Sequence, residues 1–410
     1  MMGVGYFYNL TFVQFGLLDL GTQVVGMSRA EVSRGMAILA LTTCLIAIVF
    51  GLLMQYLGWS QRFRTKLRLA LGVVLVQAVL TSIAPSLRNS EVFLAWILVA
   101  SLALGVGVPV TFSLTVDLVP VKWRGYAGGL ITVAAYFPAA LFSTTWTVEE
   151  FSLPLTLLML AGAGALAVLS FARHPWVDQL AGQHRLPQYG RGRFLQPDKK
   201  GGLRLQRSLV LLIVLMFGIY FIDSLGFLRL SETPVYFNTA WKSPLFGTHL
   251  TLAWFHVLGA FIGGILYTYL DEKPLFLWIF GIFALVHLMY SFHARLTPDR
   301  PDTLASPILY VLAVSLYTVV NFALWADLST PRTISRNAAI GVALSGWTST
   351  FLSTSLALRM AASGVTLEQH LRIVDALAML FFLLVVTIGL FMPRSRPGAS
   401  PLLNQDQSLL

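Results

Sequence analysis

Residues 173–207 read RHPWVDQLAGQHRLPQYGRGRFLQPDKKGGLRLQR and separate two long apolar regions of similar length. The stretch carries eight basic residues against two acidic ones, Asp178 and Asp198. Three prolines and several glycines argue against a long buried helix. We therefore interpret it as a basic linker between an N-terminal bundle, residues 1–172, and a C-terminal bundle, residues 208–392.

The composition excludes a soluble globular domain. Of the 410 residues, 56% are hydrophobic and only 11% are charged, whereas soluble domains carry about 25% charged residues. The sequence therefore predicts an all-α, polytopic membrane protein. The single cysteine, Cys44, allows no intrachain disulfide, and the N-terminus enters an apolar run without a cleavage-site pattern, which favours a retained membrane helix.

The apolar runs predict twelve membrane spans, because a helix needs about 20 mostly apolar residues to cross the hydrocarbon core. In the first half they cover residues 4–25, 34–57, 67–86, 92–118, 125–147 and 153–172. In the second half they cover residues 208–230, 246–270, 274–293, 304–326, 338–359 and 368–392. The remaining tail, residues 393–410, is rich in polar residues and proline, and we expect it to be disordered.

Loop charges predict the orientation, because Lys and Arg concentrate in cytoplasmic loops. With a cytoplasmic N-terminus, about two thirds of the 28 Lys and Arg residues lie on the cytoplasmic side. The opposite orientation would place the basic linker outside. We therefore expect both termini and the linker in the cytoplasm. The short loops are typical of a bacterial inner-membrane protein.

Two loops at equivalent positions indicate an internal duplication. Residues 117–128 read DLVPVKWRGYAG, and residues 327–341 read DLSTPRTISRNAAIG. Both give Asp, Pro, Arg and Gly in that order, between the fourth and fifth spans of their half. We interpret the Asp as ending one helix and the Arg as starting the next, with the two charges paired at the membrane surface. The repeat predicts two pseudo-symmetric six-helix bundles.

The end of the fourth span carries a pattern of small, acidic and basic residues, and the first and seventh spans each hold one acidic residue late in the helix. The pattern consists of Gly105, Gly107, Pro109, Asp117, Pro120, Arg124, Gly125 and Gly128. On these residues, and on Asp19 and Asp223 in the first and seventh spans, the chain resembles transporters of the major facilitator superfamily over essentially its whole length. The resemblance implies a twelve-helix fold and transport by alternating access.

Three departures from the family pattern count against proton-driven drug export. The loop after the second span keeps Gly51 and Gly58, but Gln55 and Tyr56 stand where the family has Asp and Arg. Ser101 replaces an arginine of the fourth span that the family associates with proton coupling. The fifth span has the sequence FPAA at residues 137–140 in place of a glycine-rich pattern.

Two carboxylates are the principal candidates for a binding site. A charged residue at membrane depth costs about 2.5–3.5 kcal/mol on insertion scales, so it is a functional candidate. We expect Asp19 and Asp223 to line a central cavity and to bind a cation, a proton or a polar group of the substrate. The alternative is that each pairs with a neighbouring helix for packing or gating.

Further candidates for the same cavity are polar or amphipathic side chains at membrane depth. They are Gln14, Gln23, Tyr136, Tyr220, His256, Asn321 and Trp325. For each of them, packing or anchoring at the membrane interface is the competing interpretation. We assign Asp117, Arg124, Asp327 and Arg336 to a gate on the cytoplasmic side.

The sequence offers no phosphate-binding glycine loop, metal cluster or nucleophile arrangement. We therefore expect no cofactor, no metal and no enzymatic activity. The predicted function is secondary transport of a small molecule by a monomer within membrane lipids, with a proton or sodium ion as the candidate coupling ion and no nucleic-acid partner. The alternative is a non-transporting assembly or delivery factor on the same fold. Cavity carboxylates favour the first function, and a cavity filled by bulky side chains would favour the second.

Overall fold

The computed structural model describes residues 2–142, 147–195, 207–232, 243–270, 272–296 and 303–391. Its N-terminal half contains six helical segments: α1 (Met2–Tyr8, continued by the turns Asn9–Gly16, Leu17–Asp19 and Leu20–Val24), α2 (Arg29–Tyr56), α3 (Phe63–Ile83), α4 (Ser90–Ser113), α5 (Arg124–Leu141) and α6 (Val148–Phe171). The C-terminal half contains α7 (Arg207–Glu232), α8 (Phe246–Tyr269), α9 (Glu272–Leu296), α10 (Ala305–Asp327), α11 (Ile334–Val342, continued by Ala343–Thr348 and Ser349–Ala362) and α12 (Leu367–Phe391).

Nine of the helices that the structure describes are long and apolar enough to cross a membrane. They are α2, α3, α4, α6, α7, α8, α9, α10 and α12. The prediction of an all-α, polytopic membrane protein is confirmed. The other three predicted spans coincide with α1, α5 and α11, which are short or interrupted by π-helical turns, so their full passage through the bilayer stays a prediction.

The helices differ in how much of their surface lies inside the protein. In α10, 83% of the apolar window is buried, whereas in α2 only 28% is. On α2, the side chains of Leu41, Leu45 and Val49 are more than half exposed. Their spacing of four residues places them on one helix face, which suits contact with lipid. Helix α10 therefore lies at the centre of the bundle and α2 at its periphery.

The two halves meet along several pairs of helices. Helix α5 packs against α8 and α10, and α2 packs against α11. A Cβ atom on Gly125 of α5 would lie 2.6 Å from the carbonyl oxygen of Gly264 in α8, and one on Gly51 would lie 2.5 Å from Cβ of Ala339. Glycine is required at both contacts because no side chain fits. Gly125 and Gly51 therefore let the helices of the two halves approach closely.

The linker begins with two short helices, Pro175–Gly182 and Pro187–Gly190, and continues without regular structure to residue 195. This agrees with the expectation that no long buried helix forms there. Together with the loops at 57–62, 119–123 and 328–333, it covers one end of the bundle, which we call the linker face. Residues 196–206 and the predicted disordered tail, 393–410, lie outside the described residues, and the proposed division of the chain into domains stays a prediction.

Candidate functional site

Asp223 of α7 is held by two tyrosines of α10. Tyr317 donates its hydroxyl to Oδ2 of Asp223 at 2.6 Å, and Tyr310 donates its hydroxyl to Oδ1. Tyr310 and Tyr317 are seven residues apart and therefore share one face of α10. Both oxygens of this half-buried carboxylate accept a hydrogen bond, which offsets the cost of its partial removal from water. The two tyrosines of α10 therefore fix the position of the Asp223 carboxylate.

Aromatic side chains extend this site to the N-terminal half. Tyr317 packs edge-on against Tyr220, with ring centroids 5.0 Å apart. The ring of Tyr6 in α1 lies 5.9 Å from the ring of Tyr136 in α5, and Thr318 of α10 donates its hydroxyl to the hydroxyl oxygen of Tyr136 at 3.5 Å. The resulting tyrosine cluster, Tyr6, Tyr136, Tyr220, Tyr310 and Tyr317, joins α1 and α5 to α7 and α10. The predicted residues Tyr136, Tyr220 and Asp223 thus come together.

His256 of α8 lies at the edge of this cluster and touches both halves. Its ring stacks on Tyr136 with a centroid distance of 4.6 Å and an interplanar angle of 20°. Its Nδ1 atom lies 2.9 Å from the hydroxyl oxygen of Ser315 in α10. The side chain is fully buried. His256 therefore connects the aromatic surface of α5 with a polar group of α10 and belongs to the same central region.

Asn321 and Trp325 satisfy each other on α10. The indole Nε1 atom of Trp325 donates to Oδ1 of Asn321 at 3.0 Å, one helical turn away. A Cβ atom on Gly341 of α11 would lie 2.3 Å from the Trp325 ring, so the indole is seated on that glycine. Both side chains are buried. Their geometry is that of a packed contact between α10 and α11, and a role in substrate binding stays a prediction.

Asp19 forms its hydrogen bond with α6 and not with a member of the tyrosine cluster. Its Oδ2 atom accepts a hydrogen bond from the backbone N–H of Val148 at 2.9 Å. Val148 is the first residue of α6, so the carboxylate faces the positive end of that helix dipole. Gln23 is exposed, and the side chain of Gln14 lies outside the described residues. The proposed binding roles of these three residues stay predictions.

A buried ion pair joins the two halves at the linker face. Nη1 of Arg124, at the start of α5, lies 2.6 Å from Oδ1 of Asp327, at the end of α10, and both side chains are fully buried. Tyr267 of α8 donates its hydroxyl to Oδ2 of Asp327 at 2.8 Å. The expected pairing of Asp with Arg inside each loop is therefore wrong, because helix packing brings Arg124 to the equivalent Asp of the other half.

Asp117 has a different partner within its own half. It forms a fully buried ion pair with Lys66 at the start of α3. The imidazole Nδ1 atom of His184, in the linker, lies 3.1 Å from Oδ1 of Asp117. Arg336, the pseudo-symmetric equivalent of Arg124, donates from Nε to Oδ1 of Asn337 at 3.0 Å. The buried charges at the linker face are thus asymmetric, with one ion pair between the halves and one inside the N-terminal half.

Backbone and side-chain groups of the linker form hydrogen bonds with residues at the linker face. Phe194 donates its N–H to the carbonyl oxygen of Asp327 at 3.0 Å. Arg193 donates from Nη2 to the carbonyl oxygen of Leu270 at 2.8 Å, at the end of α8. Arg124 donates from Nη2 to the carbonyl oxygen of Tyr189 at 2.5 Å. Residues 189–194 of the linker are therefore hydrogen-bonded to Arg124, Asp327 and the end of α8.

Sequence reasoning missed several residues of both sites. They are Tyr6, Tyr310 and Tyr317 in the centre, and Lys66, His184 and Arg193 at the linker face. A signal exists for Tyr310 and Tyr317, since tyrosines seven residues apart share a helix face. Lys66 stands in a basic stretch, and neither it nor the linker residues carry a signal of burial in the sequence. Within the described residues, no group of His, Cys, Asp and Glu side chains could hold a metal ion.

The helices are arranged in the fold of the major facilitator superfamily. One similar solved structure is that of the human organic anion transporter MFSD10 (TETRAN), which aligns over 94% of this chain and 96% of that chain with a TM-score of 0.63. The sequence identity is 14%, so the likeness concerns the fold. No family model matches the sequence, and no curated protein matches it significantly. The chain is an integral membrane protein with this fold and a divergent sequence.

Proposed function

We propose that the protein is a secondary transporter that works by alternating access, with the linker face on the cytoplasmic side. The observation that carries the proposal is the buried pair of Arg124 and Asp327, which joins the two halves at the linker face. A bond of this kind stabilises one closed conformation and must break when that face opens. The structure then corresponds to the state closed toward the cytoplasm.

The central cluster supports a substrate that is cationic or uncharged. Asp223 supplies a carboxylate, and the tyrosines around it offer hydroxyl groups and aromatic faces, which attract cations. Among the described residues that contact this cluster, none is a lysine or an arginine, so a bound anion would lack a cationic partner there. The human structure is titled an organic anion transporter, and we propose a different substrate class for this chain.

A second candidate function is a non-transporting assembly or delivery factor. The observation that favours it is the filling of the centre by bulky side chains. Tyr136 is 3% exposed, Tyr317 is 2% exposed and Trp325 is fully buried. A transporter must open this region in another conformation, whereas an assembly factor need not. The two candidates therefore differ in whether the halves move.

Distance measurements between spin labels on the two halves separate these candidates. Lys122 and Tyr269 are exposed on the linker face, and they can be replaced by cysteine after Cys44→Ser. We expect two distance populations in lipid nanodiscs, with the longer one favoured when Asp327→Asn weakens the gate. One short distance in both proteins would contradict alternating access and favour the assembly factor.

The substrate class is tested by thermal shift of the purified protein. A panel of organic cations, neutral metabolites and organic anions is screened at pH 5.5 and 7.5. A ligand at 100 times its dissociation constant stabilises by about 2.7 kcal/mol, which is readily measured. We expect shifts with cations or neutral compounds that disappear in Asp223→Asn. Shifts confined to organic anions would contradict the proposed class.

A further inference from the structure

A basic pocket opens on the linker face, outside the central cluster. It has a volume of about 540 Å³ and lies where three segments meet. Gly58, Gln61 and Arg62 come from the loop between α2 and α3, His184 and Arg185 come from the linker, and Thr330, Pro331 and Arg332 come from the loop between α10 and α11. The two halves and the linker therefore each supply a part of its wall.

The charged side chains that line this pocket are all basic. Arg62, Arg185 and Arg332 all line it, and each of these side chains is exposed on the linker face. Of the residues that the structure describes along its wall, none is acidic. Three guanidinium groups that share one cavity repel one another, and an anion between them removes that repulsion. The pocket thus favours a negatively charged occupant.

The donor types indicate the chemistry of that occupant. Guanidinium groups form paired hydrogen bonds with the oxygens of phosphate groups, and Gln61 and Thr330 add an amide and a hydroxyl. The volume falls in the usual range for small-molecule sites, about 300–1,000 Å³. We propose that this pocket binds a phosphate-bearing ligand, either a soluble phosphorylated compound or the headgroup of an anionic phospholipid.

The position of the pocket gives such a ligand a conformational effect. Arg62 and Arg332 belong to different halves, and they line one cavity only while the linker face is closed. A ligand that bridges them stabilises the closed face by its preference for that state. This consequence rests on the proposed alternating access, whereas binding itself does not. The ligand would therefore act as an inhibitor of opening toward the cytoplasm.

Binding is tested on the full-length protein in nanodiscs by its melting temperature. One arm titrates inorganic pyrophosphate into phosphatidylcholine nanodiscs, with sodium chloride at equal ionic strength as the reference for screening. The other arm compares phosphatidylcholine nanodiscs with nanodiscs that contain phosphatidic acid. A shift with pyrophosphate alone assigns the pocket to a soluble compound, a shift with phosphatidic acid alone assigns it to a headgroup, and competition between the two shows one shared site.

Variants connect these shifts to the pocket. We expect Arg62→Gln, Arg185→Gln and Arg332→Gln each to weaken binding at least about tenfold, since each removes a charged hydrogen-bond donor. Arg191→Gln is the matched control, because Arg191 is exposed in the same linker and does not line the pocket. Equal shifts in the wild-type protein and in all three pocket variants, or no shift with either probe, would overturn the proposal.

Failure of this site and failure of the transporter proposal remain distinguishable. The spin-label distances between positions 122 and 269 report opening without any phosphate ligand. With a phosphate probe bound, we expect the closed distance to gain population in the wild-type protein and not in Arg332→Gln. Binding without any change in distance would keep the site and refute its control of opening.

Discussion

Arg124 and Asp327 are 203 residues apart in the sequence, but Nη1 of Arg124 lies 2.6 Å from Oδ1 of Asp327 in the structure. They begin and end helices of different halves, and water does not reach either side chain. A buried ion pair need not add net stability, but removal of one partner leaves an uncompensated charge. We therefore expect the pair to select among conformations more than to add net stability to the fold.

Loss of one gate charge should open the linker face. We expect Arg124→Ala to lower the free energy of unfolding by about 3–5 kcal/mol, because Asp327 stays buried without its charged partner. The label distance between positions 122 and 269 should lengthen. Arg64→Ala is the control, since Arg64 pairs with Asp178 on the exposed surface, where such pairs contribute about 0–1 kcal/mol. Equal effects of the two substitutions would refute the gate.

Lys66 should affect stability without affecting opening. Its ion pair with Asp117 is as deeply buried as the gate pair, but both residues belong to the N-terminal half. We expect Lys66→Met to lower the melting temperature clearly and to leave the label distance unchanged. A longer distance in this variant would mean that Asp117 acts on the interface between the halves through His184.

Asp223→Asn should abolish transport in a folded protein. The amide oxygen still accepts from one tyrosine and the amide nitrogen can donate to the other, so the loss in free energy of unfolding should be about 1 kcal/mol. Uptake of the ligand found by thermal shift, measured in proteoliposomes, should fall to background. Tyr317→Phe removes one donor and keeps the charge, and we expect it to retain partial transport. Full transport by Asp223→Asn would exclude the carboxylate from the site.

Asp19 should contribute through the start of α6. Removal of the side chain in Asp19→Ala leaves the Val148 N–H without its partner, and loss of such a contact costs about 0.5–2 kcal/mol. Asp19→Asn keeps an acceptor and should recover most of this free energy while it removes the charge. Chemical denaturation measures both variants. A loss of transport in Asp19→Asn with unchanged stability would instead support the substrate-binding role predicted from the sequence.

A methyl group on Gly125 should force α5 and α8 apart. A Cβ atom there would lie 2.4 Å from Oγ1 of Thr268 and 2.6 Å from the carbonyl oxygen of Gly264. Overpacking of this kind costs about 1–3 kcal/mol, so Gly125→Ala should shift the label distances toward the open linker face. Gly162→Ala is the matched control, because its Cβ would meet nothing within 4 Å. An unchanged distance distribution in Gly125→Ala would contradict this packing.

The sequence predicted the helices well because length and hydropathy decide them locally. Each predicted span overlaps a helical segment, and the largest difference is at α5, which ends at Leu141 instead of residue 147. The start of α3 at Phe63 was also missed, because a basic first turn resembles a loop. As a result, Lys66 was not recognised as a buried residue.

The partners of the polar side chains could not be predicted in the same way. The loop repeat correctly singled out Arg124 and Asp327, but pairing across the halves depends on how α5 packs against α10. The tyrosine cluster has the same origin, since Tyr136 of α5 reaches Thr318 of α10 only after both halves are assembled. The sequence shows which polar side chains the chain contains. Which of them form pairs depends on how the helices pack at their glycine contacts.

The unequal partners of Asp117 and Asp327 bear on how the molecule moves. Two identical halves related by a twofold axis would carry the bridging pair twice, once on each side of that axis. This chain carries it once, and Lys66 neutralises the carboxylate on the other side. We therefore expect the Arg124 edge of the linker face to separate first and the opposite edge to serve as the pivot, so that the two halves move apart obliquely.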